Sequence, residues 1–149
     1  MQKVKEIGIS DAEWEVMRIV WANVQVTSRE VIDVLKDKMD WKESTIKTLI
    51  GRLVDKGALE TRRKGRAFIY SAEISEEETV KYYSEDILNR VCNTKHLLVL
   101  EDLIQEAKLS QSDIEGLISQ LEEKSKTAPE KVSCDCVPGQ CDCHLIEEM

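Results

Sequence analysis

The sequence lacks the features that mark membrane and secreted proteins. No uninterrupted apolar run approaches the roughly 18 residues that a membrane-spanning helix needs. The stretch 1–6 leads straight into polar sequence, without the apolar segment and small-residue cleavage site of a signal peptide. We therefore expect a reducing, cytoplasmic setting, cysteines available as thiols, and no association with a membrane.

The side-chain patterns of common catalytic sites are also missing. No Ser/His/Asp, Cys/His or paired-carboxylate arrangement stands out, and there is no glycine-rich phosphate loop. Of the two histidines, His96 has no recognisable partner, whereas His144 follows Cys143 and is either a metal donor or a solvated tail residue. The sequence predicts that the protein is not an enzyme.

Positive charge is scarce overall, since the 149-residue chain has a net charge of −8. The distribution is uneven, however. Residues 1–73 carry 14 Lys/Arg and 12 Asp/Glu, whereas residues 74–149 carry 7 and 17. The segment 42–66 holds 8 basic and 3 acidic residues. A locally basic first half restores nucleic acid as a candidate partner, despite the acidic total.

Three amphipathic helices are predicted in the first half. Ser10 and Glu13 form a capping box that starts the first helix, which runs to about Ala22. Ser28 is the expected cap of the second helix, with its inner face formed by Val31, Val34 and Leu35. The third begins at 43–45 and ends at Gly57. Its apolar positions repeat with helical spacing: Ile46, Leu49, Ile50, Leu53 and Val54.

The outer face of the third helix is small, hydroxylated or basic. It consists of Ser44, Thr45, Lys47, Thr48, Gly51 and Arg52. Small and hydroxyl side chains allow close approach to a duplex, and Lys and Arg reach phosphates and guanine edges. An ordinary solvated face is the alternative.

A basic hairpin follows this helix directly. Residues 58–70 read as two strands joined by a turn at Lys64-Gly65, with Arg62, Arg63, Lys64 and Arg66 at the tip. Three helices and a basic hairpin make a winged helix-turn-helix, in which the third helix enters the major groove and the wing contacts the backbone. We assign residues 1–73 to this DNA-binding domain.

The second half predicts a helical dimerisation region over residues 74–124. Three apolar stripes occur without a sheet or large core to cover them. They comprise Val80, Tyr83, Ile87, Leu88 and Val91; Leu97, Leu98, Leu100, Leu103, Ile104 and Ala107; and Ile114, Leu117, Ile118 and Leu121. A second copy of the segment is the simplest cover, and a homodimer would pair two recognition helices on one duplex. An intrachain cap on the winged helix is the alternative.

The remaining segment, residues 125–149, is a linker and a cysteine-rich tail. Cys134, Cys136, Cys141 and Cys143 form two C-x-C pairs around the turn signal Pro138-Gly139. Clustered thiolates select soft metals such as zinc and copper(I), and both remain open. A pair of disulfides is the alternative. Cys92 stands alone, and we interpret it as a packed small apolar side chain rather than a ligand.

With these motifs in place, the chain resembles the CopY-type copper-responsive repressors, a branch of the penicillinase-repressor (BlaI/MecI) family. The resemblance rests on the segments 10–17 and 44–53, the exit 57–59 and the C-x-C-x₄-C-x-C box. It implies a mainly α fold with a small β-hairpin wing, followed by dimerisation helices and a metal-binding tail. The cysteine box distinguishes the copper branch from the antibiotic-responsive members.

The resemblance also implies a function. It implies a homodimer on a palindromic, double-stranded operator of copper-homeostasis genes, with zinc held by the four tail thiolates in the DNA-bound form. Copper(I) is the implied inducer, with two ions per chain displacing zinc, and a copper-delivery protein is an expected partner. Two rivals stay open: a sensor of another soft metal or of redox state, and a copper-buffering or delivery protein.

Overall fold

The computed structural model describes residues 2–143 of the chain, with the side chain of Gln2 excepted. The chain divides between Ser84 and Glu85 into two compact units. A helix, Glu76–Asn89, crosses this division. No helix in the described part of the chain is long and apolar enough to span a membrane.

The first unit begins with a helix that the sequence analysis did not predict, α1 (Gln2–Ile7). Its Val4 and Ile7 are buried in the core, which explains why a short polar segment is held in place. The next helix, α2 (Asp11–Ala22), starts as predicted. The Ser10 Oγ accepts from the Glu13 backbone, and the Glu13 carboxylate accepts from the Ser10 backbone.

The second predicted helix is preceded by an unpredicted strand. The strand β1 (Val26–Thr27) leads directly into α3 (Ser28–Met39). The cap of α3 is Thr27 rather than Ser28, because the Thr27 hydroxyl accepts from the Glu30 backbone and the Glu30 carboxylate reaches back to Thr27. The predicted inner face is also wrong at one position, since Val34 is 48% exposed and Ile32 is buried instead.

The third predicted helix is α4 (Glu43–Lys56), and its apolar stripe forms the centre of the core. Ile46, Leu49, Ile50 and Leu53 are buried, and Val54 is partly buried against the same core. Gly57 ends the helix with a φ of 83°, a left-handed conformation that glycine adopts without a Cβ clash.

A three-stranded antiparallel sheet completes the winged-helix unit. The hairpin strands are β2 (Leu59–Lys64) and β3 (Ala67–Ala72), and the sheet order is β1-β3-β2. Val26 of β1 pairs with Tyr70 of β3. The predicted turn is shifted by one position, since Lys64 pairs with Ala67 and the turn consists of Gly65 and Arg66.

The remaining helices are α5 (Glu76–Asn89), α6 (His96–Glu106) and α7 (Gln111–Ser125), with a 3₁₀ turn at Asn93–Lys95 between α5 and α6. Ser110 caps α7, because its hydroxyl accepts from the Asp113 backbone. Both α6 and α7 lie within the described residues, and neither helix has a buried residue. Their large apolar side chains are exposed: Leu97, Leu98, Leu100, Leu103, Ile104, Ile114, Leu117, Ile118 and Leu121.

Candidate nucleic-acid interface and metal centre

The predicted reading face of α4 lies on the surface of the first unit. Its apolar stripe faces the core, so the helical period turns the five candidate side chains outward. All five are exposed: Ser44, Thr45, Lys47, Thr48 and Arg52. The Thr48 hydroxyl donates to the Ser44 carbonyl at 2.9 Å, which holds this side chain against the helix backbone. This face combines small hydroxyl side chains with two cations.

Glu43 sets the electrostatics at the start of α4. Its Oε1 lies 3.1 Å from the Lys47 Nζ and 3.1 Å from an Arg29 guanidinium nitrogen. A hydrogen bond from Lys47, and a smaller contribution from Arg29, hold the pKa of Glu43 below its ordinary value. Arg29, at the start of α3, is a further cation beside this helix. Sequence reasoning missed it, because its placement depends on how α3 packs.

The predicted wing carries all four of its cations at the surface. Arg62, Arg63 and Lys64 end β2, and Arg66 lies in the turn. Side chains alternate along a strand, so Arg62 and Lys64 share one face and Arg63 lies on the other. The Arg63 Nε donates to the Gly65 carbonyl at 3.3 Å, which holds this guanidinium at the tip. The wing thus offers cations on both faces.

In the second unit, the tail cysteines come together as the sequence predicted. The Cys134 and Cys141 sulfurs are 3.2 Å apart, which brings one C-x-C pair against the other. Gly139, in the turn between the pairs, has a φ of 97°. The Val137 backbone donates to the Gln140 side chain at 3.2 Å and closes this turn. All five cysteines of the chain are free thiols in the structure.

Cys92 is packed as predicted, but the prediction that it stands alone is wrong. It is buried, with 7% exposure, but its Sγ lies 3.5 Å from that of Cys134 and 3.7 Å from that of Cys143. The sulfurs of Cys92, Cys134, Cys136 and Cys141 all lie within 4.8 Å of one another. The sequence contained one signal for this, the odd fifth cysteine at a helix end.

The thiol cluster fits a soft metal. Four thiolates about 2.3 Å from a tetrahedral zinc are about 3.8 Å apart, close to the spacing of these sulfurs. The Thr94 hydroxyl and backbone lower the pKa of Cys92 to about 6, which favours the thiolate that binds metal. Burial raises the pKa of Cys136 to about 11. Asp135 and Asp142 separate the cysteines of each pair.

His96 has a hydrogen-bond partner outside this cluster. The Nε2 of His96 lies 2.9 Å from the Leu88 carbonyl, so this side chain has a backbone partner that the sequence did not reveal. His144, the predicted alternative donor, lies outside the described residues.

Comparison with known proteins identifies the family. Residues 9–123 match the family described as "Penicillinase repressor". The chain belongs to the penicillinase-repressor family. The family consists of DNA-binding transcriptional repressors, which are not enzymes. The matched range ends before the cysteine tail, so the family assignment rests on the winged helix and the helices that follow it.

Several individual proteins are similar to this chain. The chain is 37% identical over 124 residues to the penicillinase repressor of Bacillus licheniformis, covering 83% of this chain and 94% of the relative. It is 50% identical over 139 residues to a Latilactobacillus sakei protein described as an uncharacterized 16.5 kDa protein in the ptsI 3′ region, covering 93% and 95%. The solution structure of the DNA-binding domain of the repressor BlaI aligns with a TM-score of 0.46 and 40% identity, covering 49% of this chain and 89% of that domain.

Proposed function

We propose that this penicillinase-repressor family member is a copper-responsive repressor. Its homodimer binds a palindromic operator of copper-homeostasis genes in the zinc-loaded form and leaves it when copper(I) enters the thiol cluster. The observation that carries the proposal is the convergence of five free thiols in a DNA-binding repressor, with four sulfurs within 4.8 Å of one another.

The donor set explains how two metals can give two states. Zinc takes four separate thiolates in a tetrahedron. Copper(I) accepts two or three sulfurs, so two ions sharing the same thiols need a compact cluster with bridging sulfurs. Across the two metal states, the tail supplies thiolates from Cys134, Cys136, Cys141 and Cys143. Exchange therefore rearranges the segment that carries them.

The first unit supplies the DNA-binding surface. Ser44, Thr45 and Thr48 allow α4 to lie close to the bases, while Lys47 and Arg52 reach phosphates or guanine edges. The wing cations bind phosphates of the DNA backbone from both faces of the hairpin. They are Arg62, Arg63, Lys64 and Arg66. Their exposure in the folded unit supports this assignment.

The exposed apolar residues of α6 and α7 support a homodimer. Leu103 is 52% exposed and Ile118 is 50% exposed, and both lie in stripes of neighbouring large apolar side chains. Soluble proteins rarely leave such stripes uncovered. A second copy of residues 74–124 covers them and places two recognition helices on one operator.

Release by copper imposes one thermodynamic requirement. Copper(I) must bind the free dimer more tightly than the DNA-bound dimer, because a ligand with equal affinity for two states shifts neither. Moving the equilibrium from 1:99 to 99:1 requires about a 10⁴-fold difference in affinity. We attribute this difference to the tail, which zinc holds against the helices of the second unit and the copper cluster repositions.

The decisive experiment measures retention on the DNA upstream of the protein's own gene. The full chain is loaded with one equivalent of zinc, bound to that DNA, and titrated anaerobically with copper(I). We expect release, together with the luminescence of a copper(I)–thiolate cluster. The double variant Cys134→Ser/Cys136→Ser should stay bound at copper levels that release the parent. The control Asp135→Asn alters the same tail without removing a thiol and should respond like the parent.

Three other outcomes would contradict the proposal or point to a different function. Equal retention of the parent with and without copper(I) overturns it. Release by cadmium or by a thiol oxidant, but not by copper(I), identifies a different sensor. Salt-independent or absent DNA binding favours a copper-buffering protein, because phosphate contacts make affinity fall with salt.

A further inference from the structure

The 3₁₀ turn Asn93–Lys95 contacts the tail with each of its three residues. The Asn93 side chain donates to the Ser133 carbonyl at 3.5 Å, at the start of the cysteine box. The Thr94 hydroxyl lies 3.3 Å from the Cys143 sulfur, and the Lys95 Nζ lies 3.9 Å from the Asp142 carboxylate, both at its end. Both ends of the cysteine box therefore contact this turn.

Cys92 immediately precedes the same turn and points its sulfur into the cluster. The Thr94 hydroxyl lies 3.1 Å from that sulfur and fixes its direction. Cys92 belongs to the set of four thiols that lie within 4.8 Å of one another, together with Cys134, Cys136 and Cys141. Cys143 is outside that set. Its sulfur borders Cys92 at 3.7 Å and Thr94 at 3.3 Å.

We infer that Cys92 is the fourth zinc ligand, with Cys134, Cys136 and Cys141, and that Cys143 is left out of the zinc site. The inference rests on the proposed function for the identity of the metal. Cys143 remains beside the cluster as an additional thiolate for copper(I), which shares sulfurs between ions. Replacing zinc by copper(I) then changes which cysteines are bound as well as their geometry.

Ligation by Cys92 would connect the bound metal to the helices of the second unit. A metal held by residues 134–143 alone orders only the tail. A metal bonded to Cys92 also joins the tail to the connection between α5 and α6, across 42 positions of sequence. The tail is thereby tethered to the helices that carry the exposed apolar stripes. Cys92 also lies three residues after α5, whose N-terminal half belongs to the winged-helix unit.

Cobalt(II) titration of the full chain tests the ligand set, since cobalt(II) replaces zinc in tetrahedral thiolate sites and its sulfur-to-metal absorption grows with the number of thiolates. Cys92→Ser should remove about a quarter of that absorption, one thiolate of four, and weaken zinc binding at least about tenfold. Cys143→Ser, the matched control, should leave both unchanged. The reverse result, with Cys143 required and Cys92 dispensable, overturns the inference.

A second measurement on the parent protein avoids any folding defect in the variants. With one zinc bound, brief alkylation followed by peptide mass mapping should label Cys143 and leave Cys134, Cys136 and Cys141 protected. The four tail thiols have similar partial exposure, so burial does not produce this pattern by itself. Protection of Cys143 together with the other three overturns the inference. In either case, release from DNA by copper(I) still tests the proposed function separately.

Discussion

The Lys56 Nζ lies 2.8 Å and 2.6 Å from the two carboxylate oxygens of Glu13, a side chain that is only 2% exposed. The same ammonium donates to the Gly8 carbonyl at 2.9 Å. Glu13 also completes the capping box of α2, so its buried carboxylate is satisfied from two directions. The pair connects the start of α2 to the last turn of α4.

We expect Lys56→Met to lower the free energy of unfolding by about 3 kcal/mol, because it leaves a buried carboxylate without its cation. Urea unfolding at a fixed protein concentration measures this. Lys38→Met is the matched control. Lys38 lies 2.6 Å from Glu15, but its side chain is 46% exposed, so the loss should stay below about 1 kcal/mol. Equal losses in both variants would contradict the claim that the Glu13–Lys56 pair stabilises the fold more than an exposed pair does.

Thr27 and Ser28 distinguish the observed cap of α3 from the predicted one. Thr27→Ala removes the acceptor for the Glu30 backbone and should cost about 1 kcal/mol of stability. Ser28→Ala, one position later, removes no capping bond and should be close to neutral. Thermal or urea unfolding compares them directly. A larger loss for Ser28→Ala would restore the cap predicted from sequence.

The proposed DNA-binding surface predicts which cations set the salt dependence of binding. Lys47→Ala and Arg66→Ala should each reduce the slope of log K against log salt by about 0.9 if each side chain neutralises one phosphate. Lys5→Ala, an exposed lysine on α1, serves as a control and should leave the slope unchanged. Fluorescence anisotropy at several salt concentrations measures the slopes. A slope change that is larger for Lys5 than for Lys47 would place the DNA elsewhere.

Glu43 pairs with two cations beside α4, Lys47 and Arg29. Glu43→Gln should strengthen DNA binding, because Lys47 and Arg29 lose their competing carboxylate. The lowered pKa of Glu43 means that its ion pairs stabilise the parent above the ordinary glutamate pKa and are lost as pH falls through the lowered value. Only the parent should therefore lose this contribution in acid. Anisotropy and acid unfolding of both proteins test the two effects, and weaker binding by Glu43→Gln would contradict the first.

A charge on either apolar stripe should break the proposed dimer. Leu103→Glu and Ile118→Glu each bury a carboxylate if their helix lies in the interface, and the chain should sediment as a monomer. Gln105→Glu, which adds the same charge at another exposed position of α6, should leave the dimer intact. Sedimentation velocity measures the mass and circular dichroism checks the helices. If the parent protein itself sediments as a monomer, the proposed dimer is wrong.

Much of the winged helix followed from local sequence. The Ser10 and Glu13 capping box spans three positions, and the apolar stripe of α4 repeats within two turns, so both are readable without tertiary information. The pairing of Val26 with Tyr70 was not readable, because two residues are too short a run to show strand alternation. The choice of Thr27 over Ser28 also escaped, since both hydroxyl side chains can cap a helix.

By itself, the sequence determined which side chains share a local surface: the hydroxyl and basic face of α4, the basic hairpin, and four thiols spaced closely enough to meet around one turn. Short spacing makes such features local. Only the tertiary structure brought Cys92 to Cys134 across 42 positions and Lys56 to Glu13 across 43. Contacts at that separation depend on how whole helices and the tail pack, and no periodicity in the chain records them.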